Sequence, residues 1–217
     1  WTTGGNQYGQ LGDGTTQSRN LPIQVVSAGV TFMVAATDHA LFVKSDGSAW
    51  AMGSNAYGQL GIGSKTDQWN PVRVFATGVS RVAAGYKNSY FLKSDGTLWG
   101  CGGSSGGKLG PGEESDLLQP ILLAEGVVDL AAGRWQCLFK TTDGKLFGLG
   151  HNAEAQLTDP LGTYQSNPVR LFESGIEQVV AGPKHSFFIR NGGSLWGAGK
   201  DDGQFGPLQF APGTRVS

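Results

Sequence analysis

The chain has 217 residues, and 16 Lys and Arg against 17 Asp and Glu leave a formal net charge of −1. That balance, with no run of basic residues, gives no electrostatic footprint for nucleic acid or an anionic membrane. No apolar stretch approaches the roughly 20 residues of a membrane-spanning helix. At this length a chain buries about 70% of its unfolded surface, and the 36 glycines stand among Trp, Phe, Val and Leu, so they punctuate a folded chain.

In chain order, Trp1 precedes a glycine-rich loop, GGNQYGQLG at 4–12, which leads into an extended segment from Pro22, PIQVV. Residues 34–50, VAATDHALFVKSDGSAW, then read as two short strands joined by an SDG turn. The same series restarts at Trp50 with GSNAYGQLG (53–61), PVRVF from Pro71, and AAGYKNSYFLKSDGTLW (83–99). It restarts at Trp99 with GGSSGGKLG (102–110), PILLA from Pro120, and AAGRWQCLFKTTDGKLF (131–147). Phe147 opens GHNAEAQLT (150–158), PVRLF from Pro168, and AGPKHSFFIRNGGSLW (181–196), and Trp196 opens GKDDGQFG (199–206). The leading aromatics are 49, 49, 48 and 49 residues apart.

Short apolar segments broken by turn residues every ten or so positions predict strands, and no 3.6-residue apolar stripe predicts a helix. A unit of about 49 residues with four short strands has the size of a propeller blade, and such a sheet buries its faces by stacking on its neighbours. The chain is therefore expected to be all-β, a β-propeller of four-stranded blades. The repeats run 1–49, 50–98, 99–146 and 147–195, with a partial one at 196–217.

The recurring W-G-x-G, N-x-x-G-Q-L-G, proline strand, A-A-G-x-x-H and S-D-G resemble the regulator of chromosome condensation (RCC1-like) repeat family. That resemblance implies a propeller that is usually seven-bladed, so the 4.4 or so repeats here predict a partial or open propeller. Residues 1–25 and 196–217 carry the same half of the repeat, which predicts a portion of a longer array. Its exposed sheet edges would pair with remaining blades or with another copy.

GGSSGGKL at 102–109 spells a phosphate-binding loop but places Leu109 where Ser or Thr would bind magnesium, and it aligns with the repeat's own GQLG loops. His39 and His185 share one repeat position with Asn88 and Gln136. A planar polar group common to all four predicts a clamp between strands in preference to catalysis. Gln10 and Gln59 belong to the repeating loop, where their amides are expected to bond across a blade junction. Cys101 and Cys137 align with small or apolar residues and are expected to be buried free thiols. No triad, paired-carboxylate site or metal cluster assembles from these positions, so neither catalytic residues nor a cofactor or metal are expected.

Function should lie in what does not repeat. The two positions inside A-A-G-x-x-H vary most: Thr37 and Asp38, Tyr86 and Lys87, Arg134 and Trp135, Pro183 and Lys184. The resemblance implies that they sit on a loop at one rim of each blade, and Tyr, Trp and Arg are enriched at binding hot spots. Asp38, Tyr86, Lys87, Arg134, Trp135 and Lys184 are thus candidate contacts for a protein partner. Trp69 is a further one, because Asn20, Leu118 and Ser166 replace it elsewhere. The expected function is a non-catalytic interaction module. The alternatives are guanine-nucleotide exchange on a small GTPase, the activity of the family's eponymous member, and an accessory propeller of a glycan-acting enzyme.

Overall fold

A computed structural model describes residues 1–110, 115–157, 162–200 and 214–215. Its strands are β1 (Thr2–Gly4), β2 (Arg19–Ile23), β3 (Val30–Ala35), β4 (His39–Lys44), β5 (Ala49–Gly53) and β6 (Gln68–Phe75). They continue with β7 (Val79–Ala84), β8 (Asn88–Lys93), β9 (Leu98–Gly102), β10 (Leu117–Ala124), β11 (Val127–Ala132) and β12 (Gln136–Thr141). The last are β13 (Leu146–His151), β14 (Tyr164–Phe172), β15 (Ile176–Ala181), β16 (His185–Arg190), β17 (Ser194–Gly199) and β18 (Thr214–Arg215). Among the described residues there is no helix, and so none long and apolar enough to cross a membrane.

Every sheet is an antiparallel meander. β3 to β6, β7 to β10, β11 to β14 and β15 to β18 each form four strands in chain order, and β1 and β2 form a two-stranded sheet. The sheets are phased differently from a repeat counted from its tryptophan, because Trp50 and Trp99 lie within the third strands β5 and β9. A sheet thus takes its first two strands from one sequence repeat and its last two from the next.

The strand types follow from their neighbours. His39 to Val43 of β4 are all buried and nearly all apolar, the pattern of a strand covered on both faces. β6, β10 and β14 are half-exposed edge strands, and each contains a proline. On β6 the ladder skips from Gly53↔Gln68 to Ala51↔Val72, so Pro71 falls in the bulge, where no ladder hydrogen bond is required of it. Pro120 and Pro168 fall in the corresponding irregularities, between Leu117 and Ile121 and between Gln165 and Val169.

The chain divides into two compact units, Trp1–Gly103 with Ser115–Ala124, and Ser104–Glu114 with Glu125–Ser217. In the first unit Leu41, Val43, Ala49 and Ala51 of one sheet pack against Val79, Val82, Phe91 and Cys101 of the next, with Leu60 between them. In the second, Leu138, Leu146 and Leu157 pack in the same way against Ile176, Val179, Phe188 and Ala198.

Candidate functional site

In every four-stranded sheet the loop between the first two strands lies beside the start of the loop between the last two. The carbonyl of Asp38 accepts the Ser54 amide at 2.8 Å, that of Lys87 the Gly103 amide at 2.7 Å, that of Trp135 the His151 amide at 2.9 Å, and that of Lys184 the Lys200 amide at 2.9 Å. The variable positions therefore occupy equivalent places at one end of each sheet, and the main chain holds them there.

Their side chains make different local clusters. In the first unit the Lys87 ammonium stands 3.8 Å from the Tyr57 ring centroid and 5.2 Å from that of Tyr86, so one cation joins two aromatic rings from two sheets. All three residues are half-buried. Asp38 is half-buried too, beside the exposed Thr37. In the second unit the half-buried Trp135 ring has the Lys108 ammonium 4.8 Å away and the exposed Arg134 guanidinium 5.3 Å away. Lys184 pairs with Glu154 at 3.3 Å, with about half of the lysine side chain in solvent. Trp69 stands elsewhere, on strand β6. Its Cα and Cδ1 lie 2.6 and 2.5 Å from where a Cβ on Gly9 would be, so it closes over the glycine of the preceding loop while 49% of its surface remains exposed.

Two of the clamp positions, His39 and Gln136, join sheets. His39 is fully buried, and its Nε2 lies 3.0 Å from Ser89 Oγ on the next sheet. Ser89 in turn donates to the Gln59 carbonyl at 2.6 Å. Burial pushes the His39 imidazole down to about 4. In the second unit Gln136 Nε2 donates to the carbonyls of Gly182 and His185, at 3.0 and 3.2 Å. Gly133 is required beside it, because a Cβ there would run into the Gly182 carbonyl and stand 2.6 Å from the Gln136 amide nitrogen. Asn88 is buried at the same repeat position, and the half-buried His185 ring meets Phe187 edge-on at 5.2 Å.

The loop glutamines differ from expectation in one respect. The Gln59 side chain closes its own loop, accepting the Tyr57 amide at 2.9 Å and donating to Ser54 Oγ at 3.2 Å; the backbone carbonyl makes the crossing to the next sheet. Gln10 likewise accepts the Tyr8 amide at 3.0 Å. An amide three atoms from its own backbone reaches the local turn more easily than a separate sheet.

Sequence reasoning left the motif's asparagine without a role, yet it organises the loop. Asn55 Oδ1 accepts the Leu60 amide at 2.9 Å and its Nδ2 donates to the carbonyls of Ser64 and Thr66, at 2.8 and 3.1 Å. Asn6 and Asn152 repeat this with the amides of Leu11 and Leu157, at 2.9 and 2.8 Å. Its invariance across three loops was the available signal; Ser104 stands in the remaining described one. Lys108, buried where other loops carry glutamine, was also missed, since its role depends on a tryptophan 27 residues away. Cys101 and Cys137 are buried free thiols, and burial pushes both well above the usual thiol range. Among the described residues no three His, Cys, Asp or Glu side chains gather as metal ligands would.

The regulator of chromosome condensation (RCC1) repeat matches residues 1–43 and 46–92, and a second form of the same repeat matches 79–107. No curated protein matches the chain. Among solved structures, human WBSCR16 superposes with a TM-score of 0.84 at 22% identity, covering 99% of this chain and 61% of its own. Yeast RCC1 (Prp20), solved bound to Kap60, gives 0.83 at 20%, covering 95% of this chain and 53% of its own. Prp20p from Saccharomyces cerevisiae, in a study of its binding to Gsp1p and histones, gives 0.79 at 20%, covering 93% and 54%. This chain thus spans little more than half the length of those structures. The likeness establishes the fold, so the four-stranded sheets are propeller blades. Residues 1–43 and 46–107 thus match the RCC1 repeat, and the loop, the proline bulge and the clamp found there recur through the described remainder, so the chain is similar to the RCC1-repeat β-propellers in motif and in fold.

Proposed function

We propose that this chain is a non-catalytic docking module that presents its rim loops to a protein partner. The observation that carries the reading is the contrast within each blade. Clamp, loop and core positions are reused from blade to blade, whereas the loop after the first strand changes chemistry each time. It holds Tyr86 and Lys87 in one place, the lysine reaching the Tyr57 ring as well, and Arg134 and Trp135 in another, where the Lys108 ammonium also faces the indole. Half-exposed rings fixed by a neighbouring cation lose little conformational freedom on binding, which is the economy of a hot spot. Yeast Prp20, a longer propeller of this fold, is seen bound to Kap60, which is in keeping with the reading. Nucleotide exchange on a GTPase and a glycan-acting context rest on fold likeness alone, and no residue at the rim supports either.

The test is affinity capture with photo-crosslinking from the exposed rim position 37 in both proteins, comparing the native chain with a Tyr86→Ala, Lys87→Ala, Arg134→Ala, Trp135→Ala variant that unfolds at a similar temperature. A discrete protein crosslinked by the first and lost with the second supports docking. Equal capture by both, or faster nucleotide release from a Ras-like GTPase that the variant retains, overturns it.

A further inference from the structure

The turn between the second and third strands lies at the other end of each sheet from the rim loops, and it is closed in the same way throughout. Gly47, Gly96, Gly144 and Gly193 donate their amides to the carbonyls of Lys44, Lys93, Thr141 and Arg190, at 2.9 to 3.0 Å. The residue after that carbonyl is Ser45, Ser94, Thr142 or Asn191, and it is exposed in every sheet, so its exposure belongs to the turn and not to a place along the chain. The first three turns continue Asp–Gly, whereas the last continues Gly192–Gly193. Asn191 is thereby followed directly by glycine, while every other asparagine in the sequence precedes Gln, Leu, Ala, Pro or Ser.

A main-chain nitrogen reaches the side-chain carbonyl of a preceding asparagine most readily when its own residue carries no Cβ to crowd the approach. At this turn the approach is open. Nothing lies within 4 Å of where a Cβ on Gly192 would stand, and the Asn191 carboxamide lies over another glycine, its Nδ2 3.2 Å from the place of a Cβ on Gly175. The Asn191 main-chain amide is fixed on the Gly175 carbonyl at 3.0 Å, but among the described residues neither the Asn191 carboxamide nor the Gly192 amide is held by a hydrogen bond.

We propose that Asn191 is a site of spontaneous deamidation, converted through a succinimide with Gly192 into aspartate and isoaspartate. The site stands apart from the rim loops and does not rest on the reading given to them. The Gly192 nitrogen gives its proton to base and bonds to Asn191 Cγ, and Nδ2 takes up a proton and leaves as ammonia. Water then opens the ring at the side-chain carbonyl to give aspartate, or at the main-chain carbonyl to give isoaspartate, which lengthens the turn by one backbone atom. One water is consumed and one ammonia released, with no change of oxidation state. The Asp–Gly turns of the other sheets resist the same ring closure. Asp46 accepts from Ser48 Oγ and Asp95 from Thr97 Oγ1, each at 2.6 Å, and Asp143 pairs with Lys145 at 2.6 Å. These partners hold all three carboxyls below the usual range, so at neutral pH they remain carboxylates, the form that a nitrogen nucleophile does not attack.

The full chain, kept folded at about pH 7 and about pH 9, is digested at intervals and its peptides are separated by liquid chromatography with mass spectrometry. Asn191 should convert ahead of every other asparagine, yield both products, and react about tenfold faster per pH unit as the nitrogen deprotonates. Its rate should lie within about tenfold of that in the urea-unfolded chain, because the turn leaves the reacting groups free. Asn191→Ser, which installs the residue of Ser45 and Ser94, should abolish the change at this turn and leave the unfolding temperature unaltered. The proposal is overturned if another asparagine converts first, or if the folded chain is slower than the unfolded one by more than that margin. It is also overturned if aspartate forms without isoaspartate, since water would then have attacked the carboxamide directly.

Discussion

Gly58 has a φ of +77°, and a Cβ there would stand 2.8 Å from Leu118 Cδ2 and 2.9 Å from Leu118 Cα. Left-handed backbone and backbone contact both oppose a side chain, so Gly58→Ala should cost roughly 2–3 kcal/mol of stability. One repeat on, Gly107 meets the same crowding from Ser166, but a further repeat on the position is Ala155, with φ +56°, the single non-glycine residue with positive φ among the described residues. Ala155→Gly should therefore raise stability by up to about 1 kcal/mol, release of the left-handed strain exceeding the added freedom of the unfolded chain. Urea midpoints of the two variants check both signs; a Gly58→Ala midpoint equal to that of the native chain would show that the loop yields instead. Ala155 was readable as a departure from the glycine column, whereas Lys108 was not, because a sequence column does not reveal which ring a buried ammonium will face.

Between blades, the His39 imidazole ties the loop of one sheet to the strand of the next, and burial holds its folded value near 4 against 6.5 in the unfolded chain. Above pH 6.5 both states carry a neutral ring. As pH falls from 6.5 towards 4 the unfolded chain takes up a proton that the folded one refuses, so stability declines by at most about 1.4 kcal/mol per pH unit. Gln136 performs the same joining task with an amide that does not titrate. His39→Gln should thus keep stability at pH 7.5 within about 1.5 kcal/mol, one hydrogen bond's worth, and flatten the decline between pH 6.5 and 4. Parallel stability curves for the two proteins, from thermal unfolding at a series of pH values, would exclude His39 as the source. The bonds that His39 and Gln136 make between sheets are ones that the planar polar group at this repeat position can form. The partner of His39 was not legible in the sequence, since Ser89 is one residue from a clamp position and only sheet stacking brings it within reach. The prolines show the converse: Pro71, Pro120 and Pro168 marked strands correctly, while the bulges that admit them became visible only in the register.

Across the molecule, the period of about 49 residues read from five aromatics set the number and kind of sheets, but a period has no origin, so the place where one sheet gives way to the next stayed hidden until β5 was found to run through Trp50. Each compact unit holds one buried thiol, Cys101 in the first and Cys137 in the second. With each thiol walled off and held protonated, reaction with an aromatic disulfide reagent should be at least about a hundredfold slower than in urea, since reaction waits on opening of the blade. Leu60→Ala, which removes cover beside Cys101, should hasten labelling at that site, as mass spectrometry of the modified peptide would show. Rapid labelling of either cysteine in the native chain would contradict the packing. The asparagine at the head of each loop has a longer reach in time than in space. The side chains of Asn6 and Asn55 bond only to groups within eleven residues, as from Asn6 to Gln17, so a stretch of gene copied in tandem delivers a loop that already knows its shape. Such an array can lengthen by duplication without waiting for matching changes elsewhere, and its copies are then free to diverge at the positions that the asparagine does not touch.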